Sequence, residues 1–383
     1  MNVLEWGLSA CAAIWIYLLL ARGGYWLCRV RDDAPLADPA RWPSVIAMIP
    51  ARNEAAVIGQ SLGSVAAQDY PGDLSILLVD DQSADGTAEL AREAAAGTAR
   101  PLAILKGRPL ASGWTGKVYA LQQGFEAVEA GAVKPDYVWL TDADIEYQPG
   151  ALASLVRRAE AGGLVATSLM VKLRCESLAE RALIPAFVFF FEMLYPFAWV
   201  NRRESRTAAA AGGCALVRRE ALAAAGGFNS IRGALIDDCA LAARMKTIGP
   251  IWLGLTDRAR SIRVYDRFDD IRRMVARSAY AQLRYSPWML AGAVLGMLFV
   301  YVLPPLAALF AHGGARGAGL AIWALMAIEF APIQLFYGRS LLWALALPLV
   351  ALVYVGFTLD SGWQHARGRG GAWKGRIQAA RSP

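Results

Sequence analysis

Histidine is almost missing from these 383 residues: the only two, His312 and His365, lie in or beyond a C-terminal apolar region. Any catalytic site in the middle of the chain must therefore work without imidazole. That removes Ser/His/Asp and Cys/His triads, HExxH zinc sites and histidine general bases, and leaves carboxylates as the proton acceptors. Cysteine is scarce too. The five, Cys11, Cys28, Cys175, Cys214 and Cys239, are odd in number and form no CxxC pair. This speaks against a disulfide framework or a zinc knuckle and for a reducing compartment. No GxGxxG follows the first strand-like run, and Gly116-Lys117 is followed by Val118 rather than Ser or Thr. Dinucleotide-binding and P-loop readings are disfavoured. Charge is thin: 19% of residues are charged against 56% hydrophobic, too oily for an ordinary soluble pair of domains and too apolar for disorder.

Part of the chain is expected in a bilayer. Residues 6–21 are apolar or small, and the segment before them carries Glu5 but no Lys or Arg, unlike the positive start of a secretory signal. An uncleaved anchor over residues 1–30 is expected. Arg22, Arg29 and Arg31 follow it closely, which puts the middle of the chain in the cytoplasm. A second apolar block over residues 288–360 contains runs at 288–311, 318–337 and 341–359, with breaks at 312–317 and 338–340. Arg267, Arg272, Arg273, Arg277 and Arg284 precede it, again a cytoplasmic signature. The formal charge is +7, and the tail, residues 361–383, supplies five basic side chains and no acidic one. Such a tail beside an apolar region suits anionic lipid, and no nucleic-acid motif is present. Three crossings leave the tail outside while its own charges say inside, so three spans and a re-entrant or interfacial segment both stay open. The reading is a multi-pass protein of the inner membrane.

Residues 184–200, aromatic-rich, with Glu192 and interrupted by Pro185 and Pro196, make a poor spanning helix. A buried core helix or an interfacial one is expected.

Between the blocks, short apolar runs alternate with amphipathic stretches, as in an α/β domain with a mostly parallel sheet. Residues 45–49, 75–79, 102–105 and 137–140 read as strands, nearly unbroken in apolar residues. Residues 54–67, 87–96 and 117–130 read as helices, the second with Ser83 or Asp85 as its N-cap.

Ligands in open α/β sheets gather at the carboxyl ends of strands. Three ends here are polar: Pro50 to Glu54 with Asn53, then Asp80 and Asp81, then Asp142-Ala143-Asp144. Each alone is usually a turn or a cap. Asp142 and Asp144, directly after YVWLT, straddle one small residue, a spacing that lets carboxylates meet Mg²⁺ or Mn²⁺. Too few other ligands are evident for a protein cage, so water and a substrate diphosphate would supply the remaining oxygens. Lys117 offers an ammonium to phosphate or is a solvated lysine, and residues 113–116 let backbone approach a ligand. Asp237-Asp238 opens a helix running to about residue 248; the pair is a helix cap or holds a general base.

In order, PARNE, DDQSADGT, GWTGK, DAD, AAAGGCALVRRE, IDDCAL and QLRYSP resemble family 2 glycosyltransferases with the GT-A fold, over residues 43–287. LIPAFVFFFEMLYPFAWVN, ALIDDCALAARMKTIGPIWLGLT and YAQLRYSP resemble the hopene-associated glycosyltransferases of bacterial hopanoid synthesis. The resemblance implies a nucleotide-diphosphate sugar donor, a UDP-sugar by preference, and a membrane lipid acceptor, a hopanoid. It implies that Glu54 and Asp81 sit around the nucleotide's base and ribose, with Lys117 close by, and that Pro50, Asn53 and Asp80 also bind substrate. Asp142 and Asp144 would carry the metal and diphosphate, and Gly212 and Gly213 would make room for sugar or acceptor. Asp237 and Asp238 would stand for the family's ED motif, with Asp238 as the base. QxxRW of processive relatives is not intact: Gln282, Leu283, Arg284 and Tyr285 stand there, one residue fewer and with Tyr for Trp. Processive synthesis is put in doubt, while Arg284 and Tyr285 are still expected near diphosphate or acceptor. A nucleotide-sugar-binding scaffold without catalysis is a second class of reading, as is a transferase to ceramide-like, diacylglycerol or polyprenyl phosphate acceptors. A transporter is disfavoured because Glu329 is the one acid inside the apolar runs.

Overall fold

The pleat sorts the sheet residues by parity. In β1 (Val45–Ala51), Val45, Ala47 and Ile49 enter one core cluster and Met48 the other, and in β4 (Tyr137–Thr141) Tyr137 and Trp139 part from Val138 and Leu140 in the same way. Both faces are buried, which is why these strands read as continuous apolar runs. This computed structural model describes residues 2–371, 374 and 375. The remaining strands are β2 (Leu74–Asp80), β3 (Leu102–Lys106), β5 (Ile145–Tyr147), β6 (Ala166–Lys172), β7 (Cys214–Arg218) and β8 (Ile251–Ser261). They form one eight-stranded sheet in the order β3-β2-β1-β4-β7-β6-β8-β5. The β1/β2, β1/β4, β2/β3 and β6/β8 pairs are parallel, and β7 runs antiparallel between β4 and β6. The mixed α/β fold follows the expected pattern.

After the first apolar helix, α1 (Val3–Ala21), come α2 (Ala55–Ala66), α3 (Thr87–Ala95), α4 (Gly116–Ala130) and α5 (Ala151–Gly162). Val118, Leu121 and Phe125 of α4 pack on the Met48 face, and Ile58 and Leu62 of α2 on the opposite one. At Gly124 an added Cβ would press on Met48 Sδ and Val79, so α4 approaches the sheet too closely there for any side chain.

The aromatic segment forms α6 (Leu178–Leu194) and, after Pro196, the turn α7 (Phe197–Val200). Ser177 caps α6 in a capping box with Glu180, and the helix runs through Pro185 without stopping. Tertiary packing overrides the proline: Phe189 meets Phe330 at 5.2 Å between ring centres and Phe190 meets Tyr354 at 5.0 Å. Leu178–Val200 is thus long and apolar enough to cross a membrane by length and composition, although 56% of an apolar 18-residue stretch of it is buried inside the protein against 17% for the like stretch of Val3–Ala21.

There follow α8 (Arg219–Ala224), α9 (Asp237–Ile248), α10 (Phe268–Ala276) and α11 (Ala279–Gln282), then α12 (Pro287–Met297), α13 (Leu303–Phe310), α14 (Gly313–Phe336) and α15 (Leu347–Ala366). Among the described residues, Pro287–Phe310, Gly313–Phe336 and Leu341–Ala366 also have spanning length and composition, giving five such helices with the two above. The expected break at 312–317 shrinks to Ala311 and His312, because the glycine-rich stretch is helical. An added Cβ at Gly319 would stand 2.5 Å from Ala308 N and 2.6 Å from Pro304 O, so small residues let α13 and α14 cross closely.

Sheet and apolar helices share one core, since Met48, Val138 and Leu241 belong to the same buried cluster as Phe189, Phe330 and Tyr354. Backbone hydrogen bonds add a further link near the N-terminus. Leu255 N donates to Val30 O at 2.9 Å and Asp32 N to Leu255 O at 3.1 Å, which adds residues 30–32 to the edge of β8. The basic tail from residue 376 onward lies outside the described residues.

Candidate active site

The chain leaves β1 through Asn53, whose φ of 51° is left-handed, and enters α2 with Glu54 as N-cap residue. The loop after β2 supplies what that helix start lacks. Ser83 Oγ accepts from Asn53 N at 3.0 Å, Thr87 Oγ1 from Glu54 N at 2.9 Å and Asp85 Oδ2 from Ala55 N at 3.0 Å. The expected cap of α3 by Ser83 or Asp85 is met in part. Gly86 is its N-cap residue, yet Asp85 Oδ1 accepts from Thr87 N, the first residue of α3, at 3.1 Å, so Asp85 serves both helix starts while Ser83 serves the entry to α2. Asn53 and Asp80 are spent within the same loop, on Ala84 N and Ser83 N, both at 2.9 Å. Asp81 is buried beside Arg52.

Glu54 alone of this group turns its carboxylate into a cavity of about 490 Å³. There Arg263 Nη2 donates to its two oxygens at 2.8 and 2.9 Å, and Lys374 Nζ pairs with Oε1 at 2.9 Å. Asp144, on the turn between β4 and β5, accepts from Arg263 Nε at 2.6 Å, and its carbonyl accepts from Ile262 N at 2.9 Å. Asp142 pairs with Lys117 Nζ at 2.7 Å, and Asp237 stands 3.4 Å from the same ammonium. Burial works against the charges of Lys117 and Arg263. Their carboxylate neighbours outweigh it, Asp142 and Asp237 for the lysine and Asp144 and Glu54 for the arginine, and hold both above their ordinary values.

Asp238 opens onto a smaller inner cavity of about 30 Å³. Pro50, Lys117, Asp142 and Asp237 wall both cavities, so Asp144 and Asp238 look onto adjoining spaces. Asp238 Oδ2 accepts from Gly212 N at 2.9 Å and Oδ1 from Cys239 N at 2.7 Å. Burial, and then Asp237, push its carboxyl up to about 6. A Cβ on Gly212 would lie 3.2 Å from both Asp238 Oδ2 and Lys117 Nζ, which shows how close the backbone comes.

The fold thus brings Pro50, Glu54, Lys117, Asp142, Asp144, Gly212, Asp237 and Asp238 together. Gly213 sits beneath them: a Cβ there would meet Val171 and Ile145, and its carbonyl accepts from Tyr147 OH at 3.0 Å. Arg284 and Tyr285, expected near diphosphate or acceptor, line neither of these two cavities. Both are left-handed, with φ of 52° and 56°, in the turn between α11 and α12, and the Tyr285 ring stacks on His365 at 4.7 Å. Sequence reasoning passed over Arg263 and Tyr265, counted Lys374 among the basic side chains of the tail, and assigned Arg273 and Arg277 to a juxtamembrane role, yet all five line the larger cavity.

The donor set suits a hard divalent cation only in part. Among the described residues no group of three or more His, Cys, Asp or Glu is placed to hold a metal. Asp142 and Asp144 offer carboxylate oxygens, and Mg²⁺ or Mn²⁺ would complete its shell with water and ligand phosphate, as Mg²⁺ does elsewhere. The residues fit such an ion in company with a diphosphate.

Residues 46–226 match the family model described as glycosyl transferase family 2. A mannosyltransferase of Pyrobaculum calidifontis, PcManGT, solved with GDP-Man and Mn²⁺, is 20% identical with a TM-score of 0.55, covering 94% of this chain and 99% of that one. The two share a GT-A type fold. Glucosyl-3-phosphoglycerate synthase from Mycobacterium tuberculosis, solved with Mn²⁺, UDP-Glc and glycerol 3-phosphate, is 18% identical over 63% of this chain and 79% of that one, with a TM-score of 0.38. An N-acetylglucosaminyltransferase of Mesorhizobium japonicum (strain LMG 29417 / CECT 9101 / MAFF 303099) is 46% identical over 54 residues. That match spans 14% of this chain and 12% of the relative's length.

Proposed function

We propose that this chain is a membrane-bound, inverting glycosyltransferase that moves a sugar from a nucleotide-diphosphate donor to a hydroxyl of a membrane lipid. The observation that carries this reading is the junction of the two cavities. A carboxylate poised near pH 6 stands on one side of a wall shared by Lys117 and Asp142, and a carboxylate–guanidinium cluster stands on the other. In an in-line displacement at the anomeric carbon, the acceptor oxygen forms the new bond as Asp238 takes its proton. The bond to the diphosphate breaks on the opposite face, the electron pair leaves with the nucleotide, and the configuration inverts. Lys117 meets the charge that grows on the leaving group, the kind of fixed electrostatic help that is often the largest contribution to rate. A Mg²⁺ or Mn²⁺ held by Asp142 and Asp144 would add Lewis-acid neutralisation of that same charge.

Five apolar helices sharing a core with the sheet support a lipid acceptor, and the family resemblance points to a hopanoid. Arg22, Arg29 and Arg31 after α1 support a cytoplasmic face of the inner membrane. The donor is proposed to be a UDP-sugar. The test is purified full-length protein in detergent with a panel of UDP- and GDP-sugars, Mg²⁺ or Mn²⁺, and hopanoid, ceramide, diacylglycerol or polyprenyl phosphate. Mass spectrometry should find one lipid heavier by one sugar residue, together with released nucleoside diphosphate. Donor binding with neither transfer nor hydrolysis across the panel would instead support a non-catalytic scaffold.

A further inference from the structure

Each aspartate of the Asp142–Asp144 turn already holds a cation from the protein. Lys117 takes Asp142, and Arg263 takes Asp144. The second pairing is the more demanding. One guanidinium bridges two buried carboxylates, with Nε on Asp144 Oδ2 at 2.6 Å and Nη2 on both oxygens of Glu54 at 2.8 and 2.9 Å. A divalent ion approaching Asp144 must compete for that oxygen. Displacing the guanidinium without a substitute leaves a charge facing fewer partners in a confined site, which is costly. Glu54 would not be stranded by the exchange, because Lys374 holds its Oε1 independently at 2.9 Å. The root of Arg263 stays fixed, since Ile262 N donates to Asp144 O at 2.9 Å and Arg263 N to Ser261 Oγ at 3.3 Å. Only the side chain has to turn.

A diphosphate changes the balance on both sides. It brings the oxygens that two aspartates cannot supply to a hard cation. It also offers the planar guanidinium paired phosphate oxygens for charge-assisted, bidentate hydrogen bonds of the kind arginine prefers. We propose that Arg263 is a positioning residue that acts as the resident counter-ion of the metal site. It occupies Asp144 until a divalent cation and a nucleoside diphosphate arrive together, and it is released to pair with the diphosphate. Metal alone then binds weakly, and metal and nucleoside diphosphate strengthen each other by the same factor, as linkage requires. This rests on the reading of the cavity as the donor site.

The test follows free Mn²⁺ by electron paramagnetic resonance during titration of the full-length protein in detergent. UDP, GDP or no nucleotide is present, and Mn²⁺ complexed by nucleotide in solution is subtracted. Wild-type protein should bind Mn²⁺ at least about tenfold more tightly with one of the nucleotides than without. Arg263→Gln should bind Mn²⁺ alone about tenfold more tightly than wild type and lose most of the gain from nucleotide. Arg263→Lys, which keeps the charge but not the fork, should fall between the two and serves where the glutamine variant does not fold. Wild-type coupling that persists undiminished in both variants overturns the role of Arg263 and leaves the donor-site reading intact. Mn²⁺ that binds wild type neither alone nor with UDP or GDP overturns both.

Discussion

Replacing Asp238 by asparagine keeps the outline of the side chain and removes its charge and its ability to take a proton. Its two oxygens are matched by backbone N–H groups of Gly212 and Cys239, at 2.9 and 2.7 Å. An amide accepts from one of these and turns its own NH₂ toward the other, which costs about 1–3 kcal/mol. Against this stands the expense of holding a charge there. Burial and Asp237 push the carboxyl from 3.8 to about 6, a shift worth about 3 kcal/mol. The folded state binds this proton more tightly than the unfolded state. The associated stability is therefore present below 3.8 and lost as pH rises through about 6. At pH 7 the ionised carboxylate weakens the fold, and asparagine relieves it. The two effects nearly cancel, so Asp238→Asn is expected to melt within about 5 °C of wild type. Its kcat should fall by about 10²- to 10⁴-fold while nucleoside diphosphate binds as before. Thermal melts in detergent, calorimetric titration and glycolipid assay read the three quantities. Turnover within about tenfold of wild type, in a variant that melts normally, would refute the assignment of the base.

The same carboxyl sets a pH dependence: kcat/KM should rise about tenfold per pH unit up to about 6 and then level off, and a flat profile between about pH 5 and 7 would contradict it. Gly212→Ala places a methyl 3.2 Å from Asp238 Oδ2 and Lys117 Nζ; kcat should drop by roughly 10- to 100-fold with little change in Tm. Arg284→Ala and Tyr285→Phe change side chains that line neither cavity, so turnover should stay within about twofold. A tenfold loss at normal stability would return those residues to the site.

What the sequence made legible was whatever periodicity and punctuation record. Strands β1, β2 and β4 are covered on both faces and stand out as apolar runs, β3 is a partly covered edge strand, and α9 begins at Asp237 as its acidic start suggests. Strand β8 is harder to see, since Asp257, Arg258 and Arg260 interrupt its second half, where the short edge strand β5 pairs with it. Arg263 lies 119 residues from Asp144 along the chain, and no local pattern joins them. Arg273 and Arg277 were open to detection. They are four apart on α10, opposite buried Ile271 and Val275, which puts them on one helix face. Counting them as juxtamembrane charges used their position and ignored that orientation. The motif around Arg284 gives no sign of the left-handed turn at Arg284 and Tyr285, which lays the Tyr285 ring on His365. Lys374 carries no local signal at all.

The attachment of residues 30–32 to β8 sets a geometric limit on the chemistry. The chain passes from the first apolar helix into a strand pairing within a few residues, and that same strand ends beside Arg263. On the proposed reading of a membrane enzyme with a lipid acceptor, the reaction centre would stand at a fixed height over the helices, with no long tether on which to rise or sink. A lipid whose hydroxyl lies at the matching depth can reach the sugar in line. One whose hydroxyl is held deeper, or carried on a longer stalk, should react poorly however tightly its body binds, so reach becomes the first filter on acceptors.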